Sequence, residues 1–137
     1  MLDHTDIRIL EELSKNSRIK MKELGRKVHL TGQAASDRVA KLEESGVIEG
    51  YTINVNKDKL GYMVHAFITI ITQTLNHQPY LSFIKTRQTY VLNHYKISGD
   101  GCYMLECKFP DNASLNSFLE ELNGYANYKL SMVVNKQ

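Results

Sequence analysis

The chain of 137 residues has the length of one ordinary domain or two small ones, and it is too short for a large enzyme. Its composition, 42% hydrophobic and 23% charged, is typical of a globular protein and excludes an intrinsically disordered one. Lysine and arginine number 17 against 15 acidic residues, which gives a formal net charge of +2. A charge this small does not by itself indicate nucleic acid, so a DNA partner would require locally concentrated positive charge.

Neither the cysteines nor the apolar segments indicate secretion or a membrane. Cys102 and Cys107 are five residues apart, which matches neither a CxxC motif nor a zinc pair and predicts reduced thiols. The N-terminus has no pattern of a signal peptide. The longest apolar stretch, Val64 to Ile71, is interrupted by His65 and Thr69 and is far shorter than the ~20 residues of a membrane span. We therefore expect a cytoplasmic protein with no membrane partner.

The first third of the chain predicts three helices, of which two precede residue 30. The first is capped by Asp3 or Thr5 and ends near Asn16. The second runs from about Lys20 to His29, and Gly25 inside it predicts the close approach of another helix. The inward residues predicted from helical spacing are Ile7, Leu10 and Leu13 in the first helix, and Met21, Leu24 and Val28 in the second.

The third helix is predicted from Gly32 to Glu44. Thr31 is its expected N-cap, and Gly46 is placed to end it in the left-handed conformation. Its predicted inward residues are Ala35, Val39 and Leu42. Short strands are expected to follow around a turn at Glu49-Gly50, forming a wing from Val47, Ile48, Tyr51, Ile53 and Val55.

A leading helix followed by two short helices with a tight break between them is the helix-turn-helix pattern. The segment from Lys15 to Lys27 carries six basic residues against Glu23 alone, a local charge of +5. Such residues can contact phosphates, while the first turn of the third helix can approach base edges. A solvated helix face and a protein-docking bundle are the alternatives to DNA binding.

The candidate DNA-binding residues form two groups. Thr31, Gln33 and Ser36 lie at the base-facing end of the third helix, and base contacts are expected from Gln33 and Ser36. Phosphate contacts are expected from Arg18, Lys20, Lys22, Arg26, Arg38 and Lys41. Arg38 has an alternative role, in which it braces the fold through a carboxylate. Asp37 on the same helix would repel phosphate.

Several short segments of this region together resemble the Lrp/AsnC family, the feast/famine transcription regulators. They are Leu2-Asp3, Asp6-Ile7-Arg8-Ile9-Leu10, Asn16-Ser17-Arg18, Glu23-Leu24-Gly25 and the continuous run from Arg38 to Ile48. Each segment is weak alone, whereas their order and spacing are specific. The resemblance extends over the whole chain and implies a transcription regulator that binds double-stranded DNA.

The remaining two thirds alternate strand and helix after a polar linker at residues 54–61. Strands are predicted at Tyr62–Gln73, Tyr90–Ser98, Cys102–Phe109 and Tyr128–Val134. A short helix opens at Pro79, and Ser114 is the expected cap of a second helix. The inward residues of that helix are Leu115, Phe118, Leu119 and Leu122. The order β-α-β-β-α-β predicts an α+β fold, with a winged helix-turn-helix domain at 1–53 and a ferredoxin-like domain at 62–137.

The first of these strands is apolar on both faces. One face carries Val64, Ala66, Ile68 and Ile70, and the other carries His65, Phe67, Thr69 and Ile71. Because the helices of a ferredoxin-like domain cover one face of the sheet, the second face predicts a partner sheet. We expect a homodimer whose contact is made by residues 62–137. The family resemblance adds the octamer as a higher assembly.

The resemblance also implies a small effector, often an amino acid, bound near a Gly-Asp turn at a contact between dimers. The corresponding residues here are Ser98, Gly99, Asp100, Gly101 and Cys102. Two departures from the common family pattern are the thiol at Cys102, where an acidic residue is frequent, and Gly32, where proline is frequent. Without the resemblance, the Gly-Asp-Gly tripeptide is simply a hairpin turn.

No enzyme, cofactor or metal is predicted. The chain has no phosphate-binding, dinucleotide-binding, zinc-protease or serine-hydrolase motif, and no nucleophile stands beside an evident base. The five histidines lack the spacing of metal ligands, and Cys102 and Cys107 fall on opposite strand faces. Two interpretations are open for His65 and His94: neighbours across adjacent strands, or ordinary sheet histidines, and the second is preferred.

Three functions are compatible with these observations. The first is a sequence-specific, effector-responsive regulator at the nucleoid. The second is an architectural protein that wraps or bridges DNA with little sequence preference. The third is an enzyme or a free-standing metabolite-binding protein, since ferredoxin-like domains have many functions. The basic segment followed by a capped recognition helix favours DNA binding over the third.

Overall fold

The computed structural model describes all 137 residues and divides them into two compact units, Met1–Asn54 and Val55–Gln137. The predicted linker contains a 3₁₀ turn at Lys57–Leu60. Asn56 caps this turn, because its side-chain oxygen accepts a hydrogen bond from the Lys59 N–H. No helix in either unit is long and apolar enough to cross a membrane.

The first unit consists of three helices, α1 (His4–Lys15), α2 (Met21–Lys27) and α3 (Gly32–Glu44). Asp3 caps α1 in a reciprocal capping box with Asp6. Thr31 caps α3 by accepting a hydrogen bond from the Ala34 N–H. The helices enclose one apolar cluster that comprises Ile9, Leu13, Leu24, Val28, Ala35, Val39 and Leu42. The inward residues predicted for α3 are thereby confirmed, as are Leu24 and Val28 of α2, with Met21 at the edge of the cluster.

The apolar face of α1 differs from the predicted one. Ile9 and Leu13 are buried, whereas Ile7 is 43% exposed and Leu10 is partly buried. The prediction is therefore wrong at Ile7. The apolar residues of this helix, Ile7, Ile9, Leu10 and Leu13, are compatible with two overlapping apolar faces. Packing against α2 and α3 buries Ile9 and Leu13, which lie four residues apart.

Residues 47–55 form no strand, in contrast to the predicted wing. Val47, Tyr51, Ile53 and Val55 are each at least 42% exposed, so their alternation buries no common face. Ile48 packs on the helical core, and its N–H donates to the Leu42 carbonyl at 3.0 Å. A strand needs a neighbour for its backbone groups, and none pairs with this segment.

The second unit contains β1 (Val64–Ile71), α4 (Gln78–Lys85), β2 (Val91–Lys96), β3 (Tyr103–Phe109), α5 (Asn112–Leu122) and β4 (Asn127–Met132). The strands form one antiparallel sheet in the order β2-β3-β1-β4. The predicted α+β class and ferredoxin-like order are confirmed. Asp111, rather than Ser114, caps α5, because its carboxylate accepts from the Ser114 N–H at 2.7 Å.

One face of the sheet packs against α4 and α5 to form the core of the second unit. Register places Ile68 of β1 between Leu105 of β3 and Leu130 of β4. The buried residues of the strands are Ala66, Ile68, Ile70, Tyr103, Leu105, Cys107 and Phe109, and those of the helices are Tyr80, Phe83, Ile84, Leu115, Phe118 and Leu122. The predicted inward face of α5 is confirmed, with Leu119 packed at the margin, and alternate residues of β3 from Tyr103 to Phe109 are buried.

The opposite face of the sheet, called here the open face, has neither helix over it. Phe67 of β1 is 38% exposed and Tyr95 of β2 is 56% exposed, while Ile71 and Met104 are partly buried. The prediction that β1 is apolar on both faces is therefore confirmed. A partner sheet over the open face stays a prediction.

His65 and His94 are not neighbours, which excludes that alternative and leaves both as the ordinary sheet histidines that the sequence analysis preferred. β3 separates the strands that carry them, and they lie on opposite faces of the sheet. His65 Nε2 is 2.7 Å from Glu106 Oε2 on the open face, whereas His94 Nε2 is 3.0 Å from the Tyr80 hydroxyl on the helical side. Burial lowers the pKa of His94 and raises the pKa of Tyr80, so both groups favour their neutral forms. The Tyr80 hydroxyl therefore donates the hydrogen bond to the neutral His94 imidazole.

Candidate nucleic-acid interface and effector turn

The turn between α2 and α3 is closed by backbone contacts to α2. The Leu30 N–H donates to the Gly25 carbonyl at 2.7 Å, and His29 takes a left-handed φ of 61°. A Cβ at Gly25 would lie 2.6 Å from the Leu30 oxygen and 2.7 Å from the Thr31 oxygen. Gly25 therefore permits the close approach of the turn, rather than of another helix as predicted.

Four of the predicted DNA-binding residues surround one depression at the start of α3. They are Lys20, Lys22, Arg26 and Thr31, and all four are exposed. The first N–H groups of a helix carry partial positive charge, so cations beside them favour a phosphate. Glu23 offsets part of this charge because it forms an ion pair with Arg26.

Gln33 and Ser36, the predicted base-contacting residues, lie in the first half of α3. Gln33 is exposed and Ser36 is half-buried. The side-chain amide of Gln33 donates to Asp37 Oδ1 at 2.9 Å, one helical turn away. Because Ala35 and Val39 face the core, α3 presents Gln33 and Asp37 outward.

Arg38 is engaged within the three-helix unit. Its Nη1 lies 2.6 Å from Asp3 Oδ2 and 3.2 Å from Asp6 Oδ1, which ties α3 to the start of α1. The Arg38 hydrogen bond holds the pKa of Asp3 below its usual value. These contacts favour the bracing role of Arg38 over a phosphate contact.

Two other predicted phosphate-binding residues stand apart from the α2 group. Lys41 is exposed on α3, forms no ion pair, and lines a second depression together with Arg38 and Asp6. Arg18 is exposed before α2, and its backbone N–H donates to the Asn16 side chain at 3.1 Å. Of the predicted phosphate-binding residues, three therefore line the depression at the start of α3, namely Lys20, Lys22 and Arg26, and Lys41 and Arg18 do not.

The predicted effector residues, Ser98 to Cys102, form the turn between β2 and β3. Gly99 and Gly101 have φ values of 112° and 135°, where a side chain would be strained. The Gly101 N–H donates to the Gly99 carbonyl at 2.9 Å, and the Cys102 N–H donates to the Ile70 carbonyl at 2.8 Å. The N–H groups of Gly99 and Asp100 donate to no protein acceptor and lie in the exposed part of the turn.

A chain of hydrogen bonds that the sequence did not reveal lies behind the turn. Cys102 Sγ is 3.3 Å from Thr72 Oγ1, which is 2.9 Å from His77 Nε2. His77 Nδ1 is 3.0 Å from the Tyr103 hydroxyl. The hydrogen bonds with Thr72 hold the pKa of the Cys102 thiol below its usual value. These residues form no motif, so no spacing signal could have identified them.

Two family models match the chain in the order of its two units. Residues 2–49 match the model described as winged helix-turn-helix DNA-binding. Residues 65–136 match the model described as the Lrp/AsnC ligand binding domain. The turn at Ser98–Cys102 lies within the second match.

Relatives and solved structures agree with these matches. The chain is 57% identical over 136 residues to the HTH-type transcriptional regulator LrpA of Bacillus subtilis strain 168, covering 99% of this chain and 100% of that protein. The structure of B. subtilis LrpC has a TM-score of 0.94 at 31% identity and covers 100% of this chain and 97% of that one. The complex of the regulator NMB0573 from Neisseria meningitidis with L-Met has a TM-score of 0.90 at 23% identity, covering 99% and 92%, and shows a shared fold.

We expect Arg38→Ala to lower the melting temperature more at pH 7 than at pH 3. The pKa of Asp3 is depressed in the folded chain, so its ion pair stabilises the fold above the unfolded pKa, and this contribution is lost as the pH falls through the folded pKa. Thermal unfolding followed by circular dichroism between these pH values measures the difference.

Lys41→Ala is the matched control, because Lys41 is an exposed and unpaired cation on the same helix. It should change the melting temperature little at either pH. An Arg38→Ala effect that is equal at both pH values would contradict the bracing role.

Proposed function

We propose that this protein, which belongs to the Lrp/AsnC family of transcription regulators, recognises specific DNA sequences as a homodimer and responds to an amino-acid effector. Its matches and relatives make it a DNA-binding transcription regulator with a ligand-binding domain, and they confirm the prediction that it is not an enzyme. The proposal rests chiefly on the exposed cations that surround the start of α3. It assigns DNA binding to residues 1–53, effector binding and assembly to 62–137, and a linker to 54–61, in a cytoplasmic protein at the nucleoid.

In the proposed complex, α3 enters the major groove with residues 31–42. Gln33 and Ser36 face base edges, with Thr31 at the end of the helix that approaches the DNA. Phosphates are contacted by Lys20 at the N-cap of α2, by Lys22 and Arg26 within α2, and by Arg18 and Lys41 at the margins. Arg38 acts through its ion pairs with α1, which hold α3 in position.

An architectural role is the second candidate function. It is supported by the exposed cations of the first unit, which outnumber the polar side chains proposed to face bases. Phosphate contacts of this kind bind all sequences alike. A specific regulator should prefer its selected site over competitor DNA by roughly 10³-fold or more, whereas an architectural protein should show little preference.

Gln33→Ala and Lys22→Ala should weaken DNA binding in different ways. Gln33→Ala should cost roughly 1–3 kcal/mol on the selected site and relax specificity, because it removes a base contact. Lys22→Ala should weaken binding to all sequences and reduce the salt slope by about 1, because it removes a phosphate contact. Fluorescence anisotropy with selected and scrambled duplexes at several salt concentrations measures both effects.

Lys15→Ala is the matched control for Lys22→Ala. Lys15 belongs to the same basic segment but lies 3.6 Å from Glu12 on α1. We expect a smaller change in affinity and no change in specificity. If Gln33→Ala and Lys22→Ala together left binding unchanged, the assignment of α2 and α3 to DNA would be wrong.

The proposed homodimer covers the open face of the sheet. The apolar side chains of Phe67 and Tyr95 are exposed there. Glu106 accepts hydrogen bonds from His65 at 2.7 Å and from Asn93 at 2.8 Å, so its carboxylate can be covered without losing its partners. A two-fold dimer would present two recognition helices to a pseudo-palindromic site. The octamer is proposed as a further assembly of such dimers, from the family alone.

Phe67→Lys should convert the dimer to a monomer in sedimentation velocity at micromolar concentration. In the monomer the lysine chain can reach solvent, so the variant should stay folded, whereas two facing sheets would bury its charge. Leu75→Lys is the control, because Leu75 is fully exposed outside the sheet. A monomeric mass for the unaltered protein would refute the dimer.

An amino-acid effector is proposed to bind at Ser98–Cys102. The free N–H groups of Gly99 and Asp100 can hold a carboxylate, and the Asp100 carboxylate can pair with an ammonium group. Because the fold-related regulator NMB0573 was solved in complex with L-Met, methionine is the first ligand to test. Such a ligand would shift assembly only by its differential affinity for two multimeric states.

Isothermal titration calorimetry against the twenty amino acids should find at least one ligand. Asp100→Ala should weaken its binding by about tenfold or more, since a charge-assisted bond is lost. Asp58→Ala is the control, because Asp58 is an exposed carboxylate of the same unit that pairs with Lys108. Equal affinity of the unaltered protein and Asp100→Ala would place the site elsewhere, and no binding of any amino acid would refute the effector.

A further inference from the structure

A carboxylate stands on the surface of α3 that is proposed to face DNA. Asp37 is exposed and lies one helical turn beyond Gln33, on the side of α3 opposite Ala35 and Val39. A negative side chain near the duplex is repelled by phosphates. In a DNA-bound helix, a carboxylate at this position is therefore unfavourable unless a hydrogen-bond donor of a base compensates it.

Nothing within the protein neutralises Asp37. No lysine or arginine lies within ion-pair distance of its carboxylate. The neighbouring Arg38 pairs with Asp3 and Asp6 instead, and Lys41, one turn further on, forms no ion pair. Its one side-chain partner is the Gln33 amide at 2.9 Å. The carboxylate therefore keeps acceptor positions for a ligand outside the protein.

The surroundings of Asp37 on α3 allow its short side chain to reach a groove floor. Its helix-surface neighbours are Ala34 and Ala40 three positions away, and Gln33 and Lys41 four positions away. The two alanines carry no side chain long enough to stand between the carboxylate and a base edge. The Gln33 hydrogen bond fixes the orientation of the carboxylate and leaves the second amide hydrogen of Gln33 free.

A carboxylate can only accept hydrogen bonds, and this restricts which bases it can recognise. In the major groove the donors are the N4 amino group of cytosine and the N6 amino group of adenine. Guanine and thymine present the acceptors O6 and O4 in the corresponding place, which a carboxylate repels. A carboxylate in the major groove would therefore distinguish cytosine and adenine from guanine and thymine.

We propose that Asp37, oriented by Gln33, is a specificity-determining residue that accepts a hydrogen bond from the amino group of cytosine or adenine at one position of each half-site. The inference rests on the proposed entry of α3 into the major groove. Beyond that proposed function, the inference names the bases that Asp37 recognises and explains why a carboxylate is compatible with DNA binding.

Selection of bound duplexes from a random-sequence library, followed by sequencing, tests the assignment. The unaltered protein should prefer cytosine or adenine over guanine or thymine at one position, by roughly fivefold or more. Asp37→Ala should lose the preference at that position alone, while its affinity for unrelated DNA rises because a negative charge is gone. Asp37→Asn should tolerate guanine or thymine there, since an amide also donates.

Glu44→Ala is the matched control, because Glu44 is another exposed carboxylate of α3, near its C-terminal end. It should strengthen or leave unchanged the binding of all sequences and leave the selected motif intact. An identical motif for the unaltered protein and Asp37→Ala would overturn the role of Asp37 while leaving sequence-specific binding in place. A uniform loss at every position with a lowered melting temperature would make Asp37 structural and also overturn it. If the unaltered protein selects no motif, both this role and the proposed sequence specificity fail.

Discussion

The approach of the α2–α3 turn to Gly25 is the contact on which the rest of the proposed DNA-binding surface depends. The carbonyl oxygens of Leu30 and Thr31 occupy the space where a Cβ would stand, so the start of α3 is set by backbone atoms. The ion pairs of Arg38 with α1 supply a second anchor on the same helix. Because neither anchor uses Gln33, Ser36 or Asp37, these residues can contact DNA without carrying the stability of the fold.

Local patterns predict the five α-helices and four strands of this fold, and in addition a wing that does not form. The 3.6-residue spacing on α2 and α3, with a cap at Thr31, predicts both inward faces, and the alternation on β3 predicts a buried row from Tyr103 to Phe109. On α1 the spacing is compatible with two inward faces, and tertiary packing buries Ile9 rather than Ile7. The wing failed because extended residues form a strand only when another strand satisfies their backbone groups.

The candidate site was less predictable because its contacts are distant in sequence. Basic residues near a helix-turn-helix can be identified from charge alone. Whether Arg38 contacts phosphate or braces the fold, however, depends on Asp3, which lies 35 residues away in the sequence. The hydrogen bonds from Cys102 through Thr72 to His77 join three segments with no shared motif. The separation of His65 from His94 required the strand order, which periodicity does not determine.

The turn at Ser98–Cys102 is anchored by contacts where it joins the sheet and has unpaired N–H groups at its tip. The Cys102 N–H bonds to the Ile70 carbonyl, and Gly101 packs so closely on Thr69 of β1 that a Cβ would lie 2.7 Å from its methyl group. A ligand held by the amides of Gly99 and Asp100 would therefore leave the core of the second unit unchanged, because the contacts to β1 fix the base of the turn. Its effect would fall on whatever surface meets the tip, so the proposed effector would act through contacts between subunits rather than through a rearranged sheet.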